Sequence, residues 1–235
     1  MQKAKQSEAV RSALSVHEWF SGLPDDLQAD IVSTGRVRRV QAGDLVYAQR
    51  DEGDGIFAVI EGAIRLSGTT ACGKPILYRV VGQGGWFGHL TALDGEPRVQ
   101  DAQALHNGKL LHLSNTGFDS LLASDPSRMR HFTRLICRDI RILMNIMAQF
   151  QTSSISNRIG MMILEMSNSQ VSHNLVDHHP LTQESLAAFT GTTRQTVSRV
   201  LRTWEKLGHI TINYGGIKVH DPAAFSELLD LNQLA

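Results

Sequence analysis

The 235 residues suffice for one large domain or two small ones, and 42% of them are apolar, enough for real cores. Lys+Arg and Asp+Glu both number 23, so the formal net charge is zero and any basic surface for nucleic acid has to be local. The two cysteines, Cys72 and Cys137, stand far apart in no metal-like spacing, which argues against a disulfide framework and against a cysteine-ligated iron–sulfur cluster.

The first residues, MQKAKQSEAVRSALSV, carry no apolar h-region, and no run approaches the length of a membrane span. A soluble, cytoplasmic protein without membrane contact is expected. Between residues 40 and 115 glycine recurs, with the short runs LVYA, GIFAVI, AIRLSG, ILYRVV and KLLHL between. This spacing predicts an antiparallel sandwich or barrel, with hairpin turns around Gly53–Gly55 and in TTACGK. Inside it lies GWFGHLTALDGEPRV, Gly85 to Val99. Glycines, a short apolar turn and then Arg98 make a loop suited to an anion: Gly88 and the N–H groups after it can form a nest, and Arg98 can neutralise charge.

The texture changes at Ser124-Asp125-Pro126, an acidic cap followed by a first-turn proline. Met129, Thr133, Ile136, Ile140, Leu143, Met147 and Phe150 then step by four and three alternately, a heptad seam. Arg128, Arg130, Arg134, Arg138 and Arg141 lie off that seam. The helix should run roughly 25 residues, or about 38 Å. So narrow a stripe favours a two-helix seam and a homodimer over a helix packed only on its own domain. The loop SNSQVSHNLVDHHP holds His173, His178 and His179 but no carboxylate–histidine cluster at helical spacing, so it reads as solvated rather than as a metal site.

Residues 181–210, LTQESLAAFTGTTRQTVSRVLRTWEKLGHI, have helix-turn-helix spacing. Thr182 can cap a first helix, Ala187 is small where two helices approach, and Gly191 suits a left-handed turn. Thr192 with Gln195 matches a capping box for the second helix. Val197, Val200, Leu201 and Trp204 form its apolar side, leaving Arg194, Gln195, Ser198, Arg199 and Arg202 outward. Arg and Gln at the start of such a helix suit guanine and adenine edges in the major groove, and Thr and Ser hydroxyls suit phosphates. HITINYGGIKVHDP then reads as a hairpin wing whose Tyr214 and Lys218 could touch the DNA backbone. Between 181 and 220, five cations (Arg194, Arg199, Arg202, Lys206, Lys218) face two acids (Glu184, Glu205), an excess of three that the neutral total hides.

With these stretches the chain resembles the cyclic-AMP receptor protein/fumarate-nitrate regulator superfamily of bacterial transcription regulators. The resemblance covers nearly the whole chain, and TRQTVSRVLRTWEKLGHI is its most specific piece. It implies an α+β architecture: an N-terminal β-roll, a cyclic-nucleotide-binding-like jelly roll, over 1–125; a long dimerisation helix over 126–153; and a C-terminal winged helix-turn-helix over 154–235. It implies a homodimer on a near-palindromic operator in double-stranded DNA. Arg194 and Arg199 match the two base-reading arginines of the cyclic-AMP branch, Gln195 replaces the acid between them, and Thr182, Thr193 and Thr196 match phosphate-contacting hydroxyls.

The effector pocket departs from the family pattern. Its Gly-Glu, apolar turn and Arg-Ser become Gly88-His89-Leu90, TALDGEP and Arg98-Val99. His89 replaces the acid that holds a ribose hydroxyl, and Val99 the serine that donates to phosphate. Leu143 and Met144 fall near the Thr-Ser pair that reads adenine; leaving such buried polar groups unpaired costs ~1–3 kcal/mol each. Cyclic AMP is therefore disfavoured as effector, no cofactor is certain, an iron–sulfur cluster is disfavoured, and a haem on His89 is not the expectation.

A homodimeric, sequence-specific DNA-binding transcription regulator is the expectation, open to control by a ligand other than cyclic AMP at the junction of the roll and the long helix. A sensor module acting through protein partners, or a cyclic-nucleotide-responsive regulator with an altered pocket, are the alternatives. No enzyme constellation emerges, and nothing in the sequence marks a patch for RNA polymerase.

Overall fold

The computed structural model describes residues 2–70, 73, 75–168, 182–213 and 216–229. Its backbone falls into two compact units, Met1–Gly68 with Tyr78–Leu143 and Thr69–Leu77 with Met144–Ala235.

The first unit opens with three helices that the glycine pattern did not announce: α1 (Gln2–Leu14), α2 (Glu18–Ser21) and α3 (Asp25–Thr34). Eight strands follow: β1 (Arg36–Val40), β2 (Leu45–Tyr47), β3 (Gly55–Glu61), β4 (Ile64–Thr69), β5 (Pro75–Val81), β6 (Trp86–Phe87), β7 (Asp101–Ala104) and β8 (Gly108–Ser114). They make two four-stranded sheets, ordered β1-β8-β3-β6 and β2-β7-β4-β5. Helix α4 (His89–Asp94) interrupts the strands, and α5 (Asn115–Ser124) follows them.

Strand β3 explains why GIFAVI is apolar without alternation. Phe57 and Val59 point between the sheets with Tyr47, Leu66, Phe87 and Leu110, while Ile56 and Ala58 face the helices. Both faces of one strand are buried, so both must be apolar. The helical side is filled by Phe20, Leu27, Ile31, Trp86, Phe118 and Phe132.

The hairpin expected around Gly53–Gly55 is not there. Strands β2 and β3 flank those glycines but lie in different sheets, β2 paired with β7 and β3 with β8 and β6. The connection is pinned instead by Arg50, at φ 75°, whose N–H donates to the Arg98 carbonyl at 2.7 Å, while the Arg98 N–H donates to Asp51 O at 2.8 Å. At Gly55 (φ +141°) a Cβ would meet the Leu113 carbonyl oxygen at 2.2 Å, so the glycine there serves close strand approach.

The long helix α6 (Met129–Thr152) follows one 3₁₀ turn, Pro126–Arg128. Asp125 Oδ1 accepts from the Ser127 N–H at 2.9 Å, as an N-cap should. Phe132 and Leu135 bury into the first unit's core. The seam positions Met129, Thr133, Ile140, Leu143 and Met147 are exposed, and Ile136 half-buried.

The second unit holds α7 (Ile155–Asn168), α8 (Gln183–Thr190), α9 (Arg194–Lys206), the two-stranded β9 (Ile210–Asn213) and β10 (Gly216–Val219), and α10 (Pro222–Leu228). Its core gathers Ile159, Ile163, Leu186, Val197, Trp204 and Phe225. Tyr214, His173, His178, His179, Cys72 and the side chain of Phe150 lie outside the described residues.

Candidate functional site

Helices α8 and α9 are joined by a turn at Gly191, φ +67°. The Thr192 N–H closes it on the Ala187 carbonyl at 3.0 Å. The cap of α9 is one residue later than the capping box predicted. Thr193, not Thr192, takes the extended conformation, and its Oγ1 accepts from the Thr196 N–H at 3.2 Å. The Thr192 N–H, which a capping box would give to the Gln195 side chain, closes the turn instead. Gln195 is thereby freed from a capping role and is exposed.

Val197, Leu201 and Trp204 bury one face of α9, against Leu186 and Ala187 of α8 and Phe225 of α10. The opposite face exposes Gln195, Arg199, Arg202 and Lys206, with Ser198 partly covered. With Thr203 these side chains line one open depression that contains three cations and no acid. Arg194, at the helix start, has its Nε 3.0 Å from Glu184 Oε1 of α8, both side chains being largely exposed. Lys218 is exposed on β10, opposite Thr211 of β9. Thr182 precedes α8, its carbonyl accepting from the Leu186 N–H at 3.0 Å.

The loop Gly85–Val99 of the first unit, the cassette, is built differently from its sequence reading. Gly88, at φ +77°, precedes α4 in the left-handed region, as a nest requires. Arg98 lies beside it but is turned onto carbonyl and carboxylate oxygens of its own chain. Its Nη1 donates to the Gly88 carbonyl at 2.7 Å; its Nη2 donates to the Gly55 carbonyl at 2.8 Å and to Asp54 Oδ1 at 2.7 Å. The guanidinium stacks over the Tyr47 ring, 4.2 Å from its centroid, and the side chain is 1% exposed. Burial pushes the Tyr47 hydroxyl up to about 12, against the opposing pull of the Arg98 charge.

His89 is likewise turned inward. Its Nε2 lies 3.0 Å from Asp139 Oδ2 on α6, and since a carboxylate only accepts, Nε2–H is the donor. Arg79 of β5 places Nη1 3.3 Å from the other Asp139 oxygen and donates through Nη2 to the Trp86 carbonyl at 2.8 Å. Burial raises the Asp139 carboxyl, but the His89 hydrogen bond and the Arg79 charge outweigh it and hold the group below the usual carboxylate range. His17, before α2, is pressed down to about 4, first by burial and then by Arg138 and Arg79.

Gly88, His89 and Arg98 are thus brought together. Leu90 and Val99 are exposed, as are Leu143 and Met144 on α6, at 58% and 63%. Sequence reasoning missed Tyr47, Asp54, Arg79, Asp139 and Glu184. Asp139 alone carried a signal: it continues the stripe Phe132, Leu135 at the next helical step. Among the described residues no group of three or more His, Cys, Asp or Glu side chains could hold a metal ion, and no helix is long and apolar enough to cross a membrane.

A cyclic nucleotide-binding domain matches residues 37–125, and a Crp-like helix-turn-helix domain matches residues 157–228. The chain belongs to the cyclic-AMP receptor protein/fumarate-nitrate regulator superfamily. Its relatives include the Cyclic AMP receptor protein of Thermus thermophilus, 26% identical over 89% of this chain and 95% of that one. The CRP-like cAMP-activated global transcriptional regulator of Mycobacterium tuberculosis is 24% identical over 76% of this chain and 81% of its own length. Among solved structures, a CRP/FNR-family transcriptional regulator from Thermus thermophilus superposes with a TM-score of 0.65 at 24% identity, covering 83% of this chain and 98% of that one. This Crp-like regulator therefore couples a cyclic-nucleotide-binding type of roll to a DNA-binding helix-turn-helix.

Proposed function

We infer that the protein is a homodimeric, sequence-specific transcription regulator in the cytoplasm, and not an enzyme. Its domains are the roll over 1–125, the long helix over 126–153 and the winged helix-turn-helix over 154–235. The carrying observation is the two-sided character of α9: Val197, Leu201 and Trp204 inward, Gln195, Arg199, Arg202 and Lys206 outward with no acid among them. Arg194, Gln195 and Arg199 read base edges, Ser198 supports them, Thr182, Thr193 and Thr196 hold phosphates, and Tyr214 and Lys218 of the wing touch the backbone.

The exposed seam of α6 supports dimerisation: an apolar stripe that the chain's own core leaves open is suited to a second copy. Cyclic AMP is disfavoured as effector: the Arg98 Nη groups are bonded to Asp54, Gly55 and Gly88, and His89 Nε2 to Asp139.

Selection of operators from a genomic fragment library, followed by fluorescence anisotropy, tests the reading. Arg194→Ala and Arg199→Ala should each cost ~1–3 kcal/mol of discrimination between the selected operator and scrambled DNA. Wild-type affinity in both variants would sink it. A flat salt dependence would favour the second reading, a sensor that acts through protein partners.

A further inference from the structure

We propose that Asp139 is a positioning residue: through His89 and Arg79 it fastens the cassette to the long helix, and this internal tie lets the protein bind its operator without a small-molecule effector. The proposal rests on the reading of the chain as a DNA-binding regulator.

Phe132 and Leu135 anchor α6 by burial, and Asp139 is the next position on the same face. Beyond it Ile140, Ile142, Leu143 and Met144 are exposed. Where the apolar attachment ends, the polar one takes over. Asp139 accepts from His89, the first residue of α4, and from Arg79, which in turn donates to the carbonyl of Trp86 on β6. One carboxylate thus gathers β5, β6 and the cassette helix.

Charge points the same way. An outside anion would need a cation of the cassette to receive it. Arg98 already pairs with Asp54, and His89 and Arg79 already share Asp139, so each of these charges is met from within the chain, although Arg98 Nε and His89 Nδ1 are buried without a hydrogen-bond partner among the described residues. Among the described residues His17, Arg138 and Tyr47 also face this cluster, and the Arg138 guanidinium lies 3.1 Å from His17 Nε2. The carboxylate of Asp139 stands in the anionic role that an external ligand would play, and it is covalently part of the helix. The His89 side chain is 6% exposed, so its bond to Asp139 is screened less than a surface pair, whereas Arg79 and Asp139 remain 39% and 28% exposed.

The test uses the full-length protein and its selected operator. Wild type should bind with no nucleotide added, and cyclic AMP should leave the affinity unchanged. Asp139→Ala and His89→Leu should each weaken operator binding about tenfold, the usual scale of coupling between sites, and the double variant should be no worse than either single one. His89→Gln should restore most of the affinity, because its amide N–H can still donate to Asp139. Thermal melts and sedimentation check that the variants are folded and associate as wild type does. If Asp139→Ala does not fold, the contrast between His89→Leu and His89→Gln decides. Asp139→Ala or His89→Leu binding as tightly as wild type, or more tightly, overturns the proposal, as does wild-type binding that requires cyclic AMP. Failure of wild type to prefer any operator, with Arg194→Ala and Arg199→Ala without effect, would instead overturn the regulator reading.

Discussion

Arg98 donates to the carbonyl oxygen of Gly88 across 2.7 Å, so the arginine and the glycine of the cassette bond to each other. For its Nη groups to turn to a phosphate instead, the guanidinium would have to give up bonds to Gly88, Gly55 or Asp54. Isothermal titration with cyclic AMP should therefore detect no binding tighter than ~0.1 mM, about −5.5 kcal/mol. Micromolar affinity would mean that Arg98 swings free at little cost.

The same contacts make Arg98 a structural residue. Arg98→Met removes the donor to two backbone carbonyls, one of those bonds fully buried. Orphaned buried polar groups cost ~1–3 kcal/mol each, so a total loss of ~2–4 kcal/mol is expected by urea unfolding. A loss below ~1 kcal/mol would show that the arginine serves something other than the fold.

His17 gives the stability a defined pH dependence. Its folded-state value, about 4, lies below the ordinary histidine value of 6.5, so the unfolded chain binds the proton more readily. Its contribution is fully present above 6.5 and is lost as the pH falls toward 4. Allowing for the exposed part of the ring, about 2 kcal/mol is at stake. His17→Asn keeps an acceptor for the Trp19 N–H, which His17 Nδ1 now receives at 3.3 Å, and removes the titration. The variant should lose less of its melting temperature than wild type between neutral and mildly acidic buffer. Parallel losses in both proteins would refute the assignment.

Ile140 and Leu143, both exposed on α6, lie on the stripe that burial leaves open. Leu143→Glu places a charge where a second copy would bury an apolar side chain, and desolvating that charge opposes association. Sedimentation should show a dimer for wild type and a monomer for the variant at micromolar concentration, with the melting of the first unit little changed. A dimer that survives Leu143→Glu and Ile140→Glu together would place the interface elsewhere.

What was legible in the sequence divides by range. Periodicity exposed α6, because a seam at alternating three and four is written in contiguous residues, and the turn at Gly191 was marked by a residue type that the left-handed backbone favours. Glycine spacing marked β2, β3, β4, β5 and β8, but not β1, whose RVRRV shows a charged outer face, nor the two-residue β6, nor β7. The false hairpin at Gly53–Gly55 arose because a glycine pair in a cross-sheet connection looks like one in a turn. The cassette failed most: Gly88 and Arg98 were found, but nothing local shows that Arg98 meets Asp54, 44 residues away, or that His89 meets Asp139, 50 residues away. Pairing partners at that separation are set by the packed roll, not by spacing.

Glu184 of α8 holds Arg194 of α9 through a pair whose side chains are 60% and 69% exposed. Reading a guanine would require Arg194 to release that carboxylate, and an exposed pair of this kind is worth only ~0–1 kcal/mol. If α9 enters the major groove as proposed, this acid would also repel nearby phosphates at low salt. Glu184→Gln removes the charge and keeps the shape. It should tighten operator binding about two- to fivefold at low salt, the range of that pair energy, with a smaller gain at high salt. Weaker binding in Glu184→Gln would show that the acid orients Arg194 toward its base instead of restraining it.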